Sequence, residues 1–424
     1  MNDFMNVPLW SICTCNNKVL PEDTPKDKLI SYVDISNVSL ASGITGVTEY
    51  KFEKAPSRAR RLVEAGDIIV STVRTYLKSI AYIDANNSDR VFSTGFAVLH
   101  PKRQEISSFL KYAIQSDTFI SKVIEQSKGV SYPAINATDL LRLKVLIPKD
   151  EAHALLISQW LDSKCRKIDN LLEQIRRHLD LLSEYKQSLI TQAVTKGLDP
   201  NAGMKDVNFS CLPHIPVNWS LTKVFNVLSQ PITDGPHETP IFTEDGIPFI
   251  SAEAVSSGVI NFEKMRGYIS QAYYEECCKK YIPQKGDVYI IKSGATTGRS
   301  AMVQTDEIFQ IWSPLAALRA KKEILLPDFL LYLTKSSYFV RQIQDNWSFG
   351  TQQNIGMRVL ENLSLALPPM LEQESIVSFL NKKCSEIDST VRLINDNIRK
   401  LQEYRSSLIS AAVTGKIDIN EVTQ

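Results

Sequence analysis

The sequence is short of most things an enzyme or a membrane protein needs. No uninterrupted apolar run of about 18 residues occurs in its 424 residues, so no helix is expected to cross a bilayer. The opening residues Met1–Asn6 carry neither a basic head nor an apolar stretch, so no export is expected and the chain reads as cytoplasmic. Net charge is only +1, which excludes a global basic field; any surface for nucleic acid must be local. The five histidines (His100, His153, His178, His214, His237) show no ligand or triad spacing. Cysteine is sparse and odd in number, seven in all, which suggests reduced thiols in an intracellular protein. Cys13-Thr-Cys15 and Cys277-Cys278 lack a second pair at metal spacing, so no metal site is expected. At this length the chain can build two or three domains with cores of their own.

What is present is a duplication. Leu161-Asp-Ser-Lys-Cys-Arg-Lys-Ile-Asp169 returns as Leu380-Asn-Lys-Lys-Cys-Ser-Glu-Ile-Asp388, and Glu184-Tyr-Lys-Gln-Ser-Leu-Ile190 as Glu403-Tyr-Arg-Ser-Ser-Leu-Ile409. Without a gap, 16 of the 39 positions from Leu161 to Asp199 match their counterparts. Leu161, Ile168, Ile175, Leu182 and Leu189 recur every seventh residue, with Cys165, Leu172, Leu179 and Ala193 as a second row. The second copy keeps both rows: Leu380, Ile387, Ile394, Leu401 and Leu408, with Cys384, Val391, Ile398 and Ala412. This is the seam of a coiled coil, uninterrupted by Pro or Gly, and it favours a long helical arm in each copy. Lys186 and Arg405 interrupt the second row at equivalent points, with Glu184 and Glu403 expected as their anions. Prolines and acids before each helix, and Gly197 and Gly415 after it, are the expected start and stop signals.

The remaining segments also correspond. Gly66-Asp67-Ile-Ile-Val70 matches Gly286-Asp287-Val-Tyr-Ile-Ile291, and Phe96–Leu99 matches Leu315–Leu318. A helix is expected over 109–124 and another over 329–343, each followed by a break, Gly129–Ile135 and Gly350–Ile355. The plan is a β-rich domain at 1–147, a long helix at 148–199, a second β-rich domain at 200–367 (with a linker at 200–218), and a helix and tail at 368–424. Val7-Pro-Leu-Trp10 is expected to stand where the second domain has Leu212–Trp219. The helices stay alike while the domains share only a skeleton, which suggests one constant task for the helices and two different ones for the domains.

Taken together, the domain-helix-domain-helix order, the Gly-Asp strand starts, Ser293-Gly-Ala-Thr-Thr-Gly-Arg299, the Gly350 break and Pro368-Pro-Met-Leu-Glu-Gln-Glu374 resemble the specificity subunit of a type I DNA restriction-modification enzyme over nearly the whole chain. The resemblance implies an α+β fold: two β-rich target-recognition domains separated by two long helices that form an antiparallel coiled coil, with an internal pseudo-two-fold repeat. It implies recognition of double-stranded DNA at a bipartite, asymmetric site. The helices would act as a rod fixing the half-site distance and would dock two DNA methyltransferase subunits, with restriction and translocase subunits joining the complex. S-adenosylmethionine, ATP and Mg are then expected on the partners, and no cofactor on this chain.

The residues agree with a non-catalytic role. The only Pro-Pro opens a helix and is not part of an Asn/Asp-Pro-Pro-aromatic base pocket. Gly294–Ser300 is one residue short of a phosphate loop and has Arg where Lys is required, so it reads as a strand-to-strand connection. The competing reading is a self-sufficient sequence-specific nuclease or methyltransferase. DNA reading needs donors that reach phosphates and base edges. The candidates in the first domain are Arg58, Arg60, Arg61, Arg74, Tyr76, Lys78, Lys128, Ser131 and Tyr132. In the second they are Lys292, Thr296, Thr297, Arg299, Trp347, Ser348, Gln352 and Gln353.

Overall fold

The computed structural model describes residues 3–255, 258–349 and 353–417, with Gln104, Ser348 and Phe349 described by their backbone alone. By its contacts the chain divides into two units, 1–176 with 394–424, and 177–393. Each unit therefore contains a β-rich domain and half of both long helices, so the helices do not stand as segments of their own.

In the first unit Ile68–Ser71 is buried at all four positions, which is why the run is apolar without alternation. It lies between Phe96–Pro101 and Ile80–Tyr82 in a four-stranded sheet completed by Cys13–Cys15 at the far edge of Phe96–Pro101. A second four-stranded sheet runs Thr48–Lys51, Leu29–Val33, Val91–Ser93, Ala59–Leu62, with one parallel pairing between Val91 and Tyr32. Ile69, Phe92, Phe96 and Val98 share a buried core cluster with residues of both sheets. The second unit repeats the order: Thr233–Asp234, Leu315–Leu318, Val288–Ile291, Ser300–Met302 in one sheet. Its other sheet has three strands, Gly267–Ile269, Ile247–Ile250 and Gln310–Ile311, again with one parallel pairing, Phe249 with Gln310.

Each Gly-Asp start has a physical task. The Asp67 carboxylate accepts from the Glu64 amide at 2.7 Å, and the Asp287 carboxylate from the Gln284 amide at 2.9 Å, closing the turn that enters the central strand. The other side of Asp67 meets His100 Nδ1 at 2.7 Å, while Asp287 takes a two-pronged bond from Arg319 at 2.7 and 2.8 Å. Burial pushes the Asp67 carboxyl above its ordinary pKa, against the pull of the Glu64 amide and His100.

Two expectations are corrected here. The helix over 109–124 is two helices, Gln104–Gln115 and Asp117–Glu125, and the helix over 329–343 is Pro327–Lys335 and Ser337–Asn346. Ser116 and Ser336 are extended, and each caps the second helix by accepting from Phe119 N or Phe339 N, at 3.3 and 3.2 Å. The N-terminal correspondence also shifts. Leu9 N bonds Leu143 O as Val224 N bonds Leu363 O, so Leu9 matches Val224; Trp10 is exposed, whereas Trp219 is buried.

The long helices run Glu151–Lys196 and Met370–Val413. Within the first unit Arg405 donates to Asp169 at 2.9 Å, while Phe4 lies edge-on to His153 and so close to Gly415 that a Cβ there would come within 2.7 Å of its ring. Within the second, Lys186 donates to Asp388 at 2.5 Å, and Glu372 lies against Gly197. In each unit a later residue on one helix meets an earlier one on the other, so the pairing is antiparallel. Leu161, Ile168, Leu380, Ile387 and Leu408 are buried, and Ile175, Leu182, Leu189, Ile394 and Leu401 half-buried, along the expected seam. The anions of Lys186 and Arg405 are Asp388 and Asp169, not Glu184 and Glu403: residues two apart on a helix do not face each other. Gly197 and Gly415 close the helices with φ of +77° and +68°, where a side chain is disfavoured. No helix among the described residues is long and apolar enough to cross a membrane.

Candidate nucleic-acid interface

The two central strands leave their sheets through equivalent loops. Residues 72–79 join Ile68–Ser71 to Ile80–Tyr82, and 292–299 join Val288–Ile291 to Ser300–Met302. The second loop connects antiparallel neighbours, as expected for a strand-to-strand connection, with no helix following it. Each loop is held by the segment that breaks the chain after the helix pair. In the first unit Arg74 N donates to Pro133 O at 2.8 Å and Ile135 N to Thr72 O at 2.9 Å. In the second Gly294 N donates to Gln353 O at 3.1 Å and Ile355 N to Lys292 O at 2.8 Å. The bridges Val73 with Ala134 and Ser293 with Asn354 complete the match.

The side chains in this repeated frame differ. Positions 74 and 78 are left-handed, φ +49° and +54°, yet they are Arg and Lys; their counterparts Gly294 and Gly298 have φ +99° and +89°. A side chain in that conformation costs about 1–2 kcal/mol, so the first loop holds two cations in a strained backbone where the second uses glycine. The Arg74 guanidinium lies 4.7 Å from the centre of the exposed Tyr132 ring. Lys128, Ser131 and Tyr76 are exposed beside it, and Lys78 lies 3.9 Å from Asp117. The structure thus brings together Arg74, Tyr76, Lys78, Lys128, Ser131 and Tyr132. Arg58 is exposed on the far side of the same turn: its carbonyl takes Thr94 N while Gly95 O takes Thr72 N. Arg60 and Arg61 stand apart. Arg60 packs 4.8 Å over Phe52, and Arg61 is half-buried with its Nε enclosed and unpartnered.

In the second unit Lys292 is largely buried and paired within the protein. Its ammonium donates to Asp234 at 2.6 Å, Lys280 donates to the other oxygen at 2.5 Å, and His237 Nε2 lies 3.1 Å away. Burial opposes ionisation of Asp234, but the two lysines outweigh it and hold the carboxyl below its usual range. The Thr297 hydroxyl donates within the loop to Gly294 O at 2.7 Å. Thr296 and Gln353 are half-buried, Arg299 is exposed, and Trp347 packs partly buried against the core. Ser348 pairs through its backbone with Asn354. Gln352 lies outside the described residues. Sequence reasoning missed Asp234 and His237, whose partners lie far along the chain or follow no motif. It also missed the left-handed Arg74 and Lys78, which alignment with Gly294 and Gly298 would have revealed.

Among the described residues no group of three or more His, Cys, Asp and Glu is placed to hold a metal ion. Burial pushes the Cys13 thiol up to about 12 and the Cys15 thiol up to about 11.

A model of the type I restriction modification DNA specificity domain matches residues 224–402. The chain is similar to the type I restriction enzyme MjaVIII specificity subunit of Methanocaldococcus jannaschii, 21% identical over 302 residues, which cover 70% of this chain and 67% of the relative. It is also similar to the EcoBI specificity subunit of Escherichia coli, 22% identical, covering 62% of this chain and 56% of that one. A chain from a structural study of complex assembly and conformational transition in the type I R-M system matches its fold with a TM-score of 0.70 and 22% identity, covering 97% of this chain and 98% of that one. With the duplicated domain-helix plan and the repeated loop cradle, these likenesses make the chain similar, over most of its length, to the specificity subunits of type I restriction enzymes.

Proposed function

We propose that each unit reads one half of a bipartite, asymmetric DNA site, and that the paired helices position methyltransferase subunits on it. One observation carries the first part: the loop cradle repeats hydrogen bond for hydrogen bond, while the residues it presents do not. A scaffold kept constant under different donors, Arg74, Lys78 and Tyr132 in one unit and Arg299 and Thr296 in the other, suits two readers of different sequences.

The partner reading has a similar basis. A polar groove lined by Ser183, Glu184, Gln187, Ser188, Thr191 and Ser337 lies in the second unit, and one lined by Gln402, Glu403, Ser406, Ser407, Ser410 and Asp117 in the first. Their floors match: Ser337 N donates to Thr191 Oγ1 at 2.9 Å, and Asp117 N to Ser410 Oγ at 3.3 Å. Two equivalent grooves fit two copies of one partner, hence two methyltransferase chains, with S-adenosylmethionine, ATP and Mg on the partner and restriction subunits. The test is to incubate the pure chain with duplex DNA, with and without S-adenosylmethionine and Mg²⁺, and then to add the methyltransferase. Sequence-selective binding without turnover is expected from the chain alone, and methylation only with the partner. Cleavage or methylation by the chain alone contradicts the proposal.

A further inference from the structure

We infer that Val130 is a specificity-determining contact of the first unit, meeting the C5 methyl of a thymine in the major groove. The inference rests on the DNA-recognition reading above. Lys128 and Ala134 exchange both backbone hydrogen bonds, at 2.8 and 2.9 Å, and so pinch residues 129–133 into a tight hairpin tip. Gly129 makes the turn at φ +109°, where a Cβ would stand 3.1 Å from the Tyr132 carbonyl oxygen. The tip projects Val130, whose side chain is fully exposed, beside Tyr132 and the Arg74 guanidinium stacked on it. Arg74 and Lys128 supply the positive charge that draws a phosphate backbone to this tip, with Lys78 in the same loop partly offset by Asp117 at 3.9 Å.

A free aliphatic side chain in the middle of a cationic, hydrogen-bonding surface offers nothing to phosphates, sugars or base donors and acceptors. B-DNA presents one apolar group to a groove-reading element, the thymine methyl, and it lies in the major groove. Side chains that wedge between base steps in the minor groove are Phe, Leu, Ile, Met or Pro, of which the open-chain aliphatic ones all outreach valine. Valine branches at Cβ and reaches too short a distance to part a stack, but it can cover a methyl.

The experiment uses the full chain. Bound duplexes are selected from a random pool, and each thymine of the selected site, on either strand, is then replaced singly by deoxyuridine, which removes only the methyl. Affinities are measured for the natural protein and for Val130→Ala, a change at a fully exposed side chain. One thymine is expected at which loss of the methyl weakens the natural protein about three- to fourfold, the worth of one buried methyl-sized group, and leaves Val130→Ala unaffected. A site without thymine in the half read by the first unit overturns the inference. So does a set of methyl effects identical in the two proteins, or a loss in Val130→Ala that is uniform over all duplexes, as a wedge would give. A chain that selects no sequence overturns the recognition reading as well; selection of a methyl-blind site overturns this inference alone.

Discussion

Replacing Arg74 separates backbone strain from DNA contact, because glycine and alanine should rank in an unusual order there. Arg74 sits at φ +49° and ψ +49°, and its counterpart in the other unit is Gly294. Alanine keeps the left-handed strain of about 1–2 kcal/mol. Glycine removes it, at a cost of about 0.5–1 kcal/mol in unfolded-chain entropy. Both lose the stack on Tyr132, about 0.5–1 kcal/mol at an exposed site. Arg74→Ala should therefore be less stable than the natural protein by that lost stack, and Arg74→Gly close to it. Glycine should exceed alanine by roughly 0.5–1 kcal/mol. In a unit of this size a full kcal/mol is worth about 2–4 °C in melting temperature. DNA affinity, followed by fluorescence anisotropy across salt concentrations, should fall equally in both variants. A phosphate contact removes about one unit of salt slope, and a base contact costs about 1–3 kcal/mol at one position. Alanine as stable as glycine refutes the strain argument, and unchanged binding in both refutes the role of Arg74.

Further expectations follow from the second unit and the helices. Asp234→Ala strands Lys292, whose side chain is 12% exposed, and should cost about 3–5 kcal/mol in urea unfolding, whereas Arg299→Ala should leave stability alone and lower DNA affinity or salt slope. Because the folded Asp234 carboxyl titrates below its unfolded value, its stabilisation is complete above the unfolded pKa and is lost as pH falls through the folded one; acid melting curves should show this loss, and Asp234→Asn should flatten it. Native mass spectrometry should find two methyltransferase chains bound to the natural protein, one to Ser188→Arg, whose side chain lies in the second-unit groove, and none to Ser188→Arg with Ser407→Arg; a single copy at saturation of the natural protein counts against two equivalent docking sites.

The duplication was legible because heptads and Gly-Asp strand starts are local patterns, repeated at nearly constant spacing. The seam from Leu161 to Leu408 follows from periodicity, since apolar residues at every seventh position line one stripe of a helix that a second helix can cover. The break at Ser116 and Ser336 was also written in the sequence, as a serine three residues before a phenylalanine in both copies, but apolar spacing masked the cap. Long-range pairing was not legible. Lys292 reads as a free cation in the sequence, and only the fold shows Asp234, 58 residues earlier, holding it. Arg405 looks paired with Glu403 until the antiparallel register brings Asp169 to it, 236 residues away in sequence. Arg60 and Arg61, equal to Arg74 in a list of cations, are separated from it only by the sheet to which their strand belongs.

The central claim is that the two units read different half-sites independently. The most direct test selects bound duplexes from a random pool with the natural chain and with a hybrid in which residues 1–147 are replaced by the corresponding domain of another specificity subunit. The account predicts two conserved blocks in the natural selection and a change in one block only in the hybrid. A change in both blocks, or in neither, contradicts it.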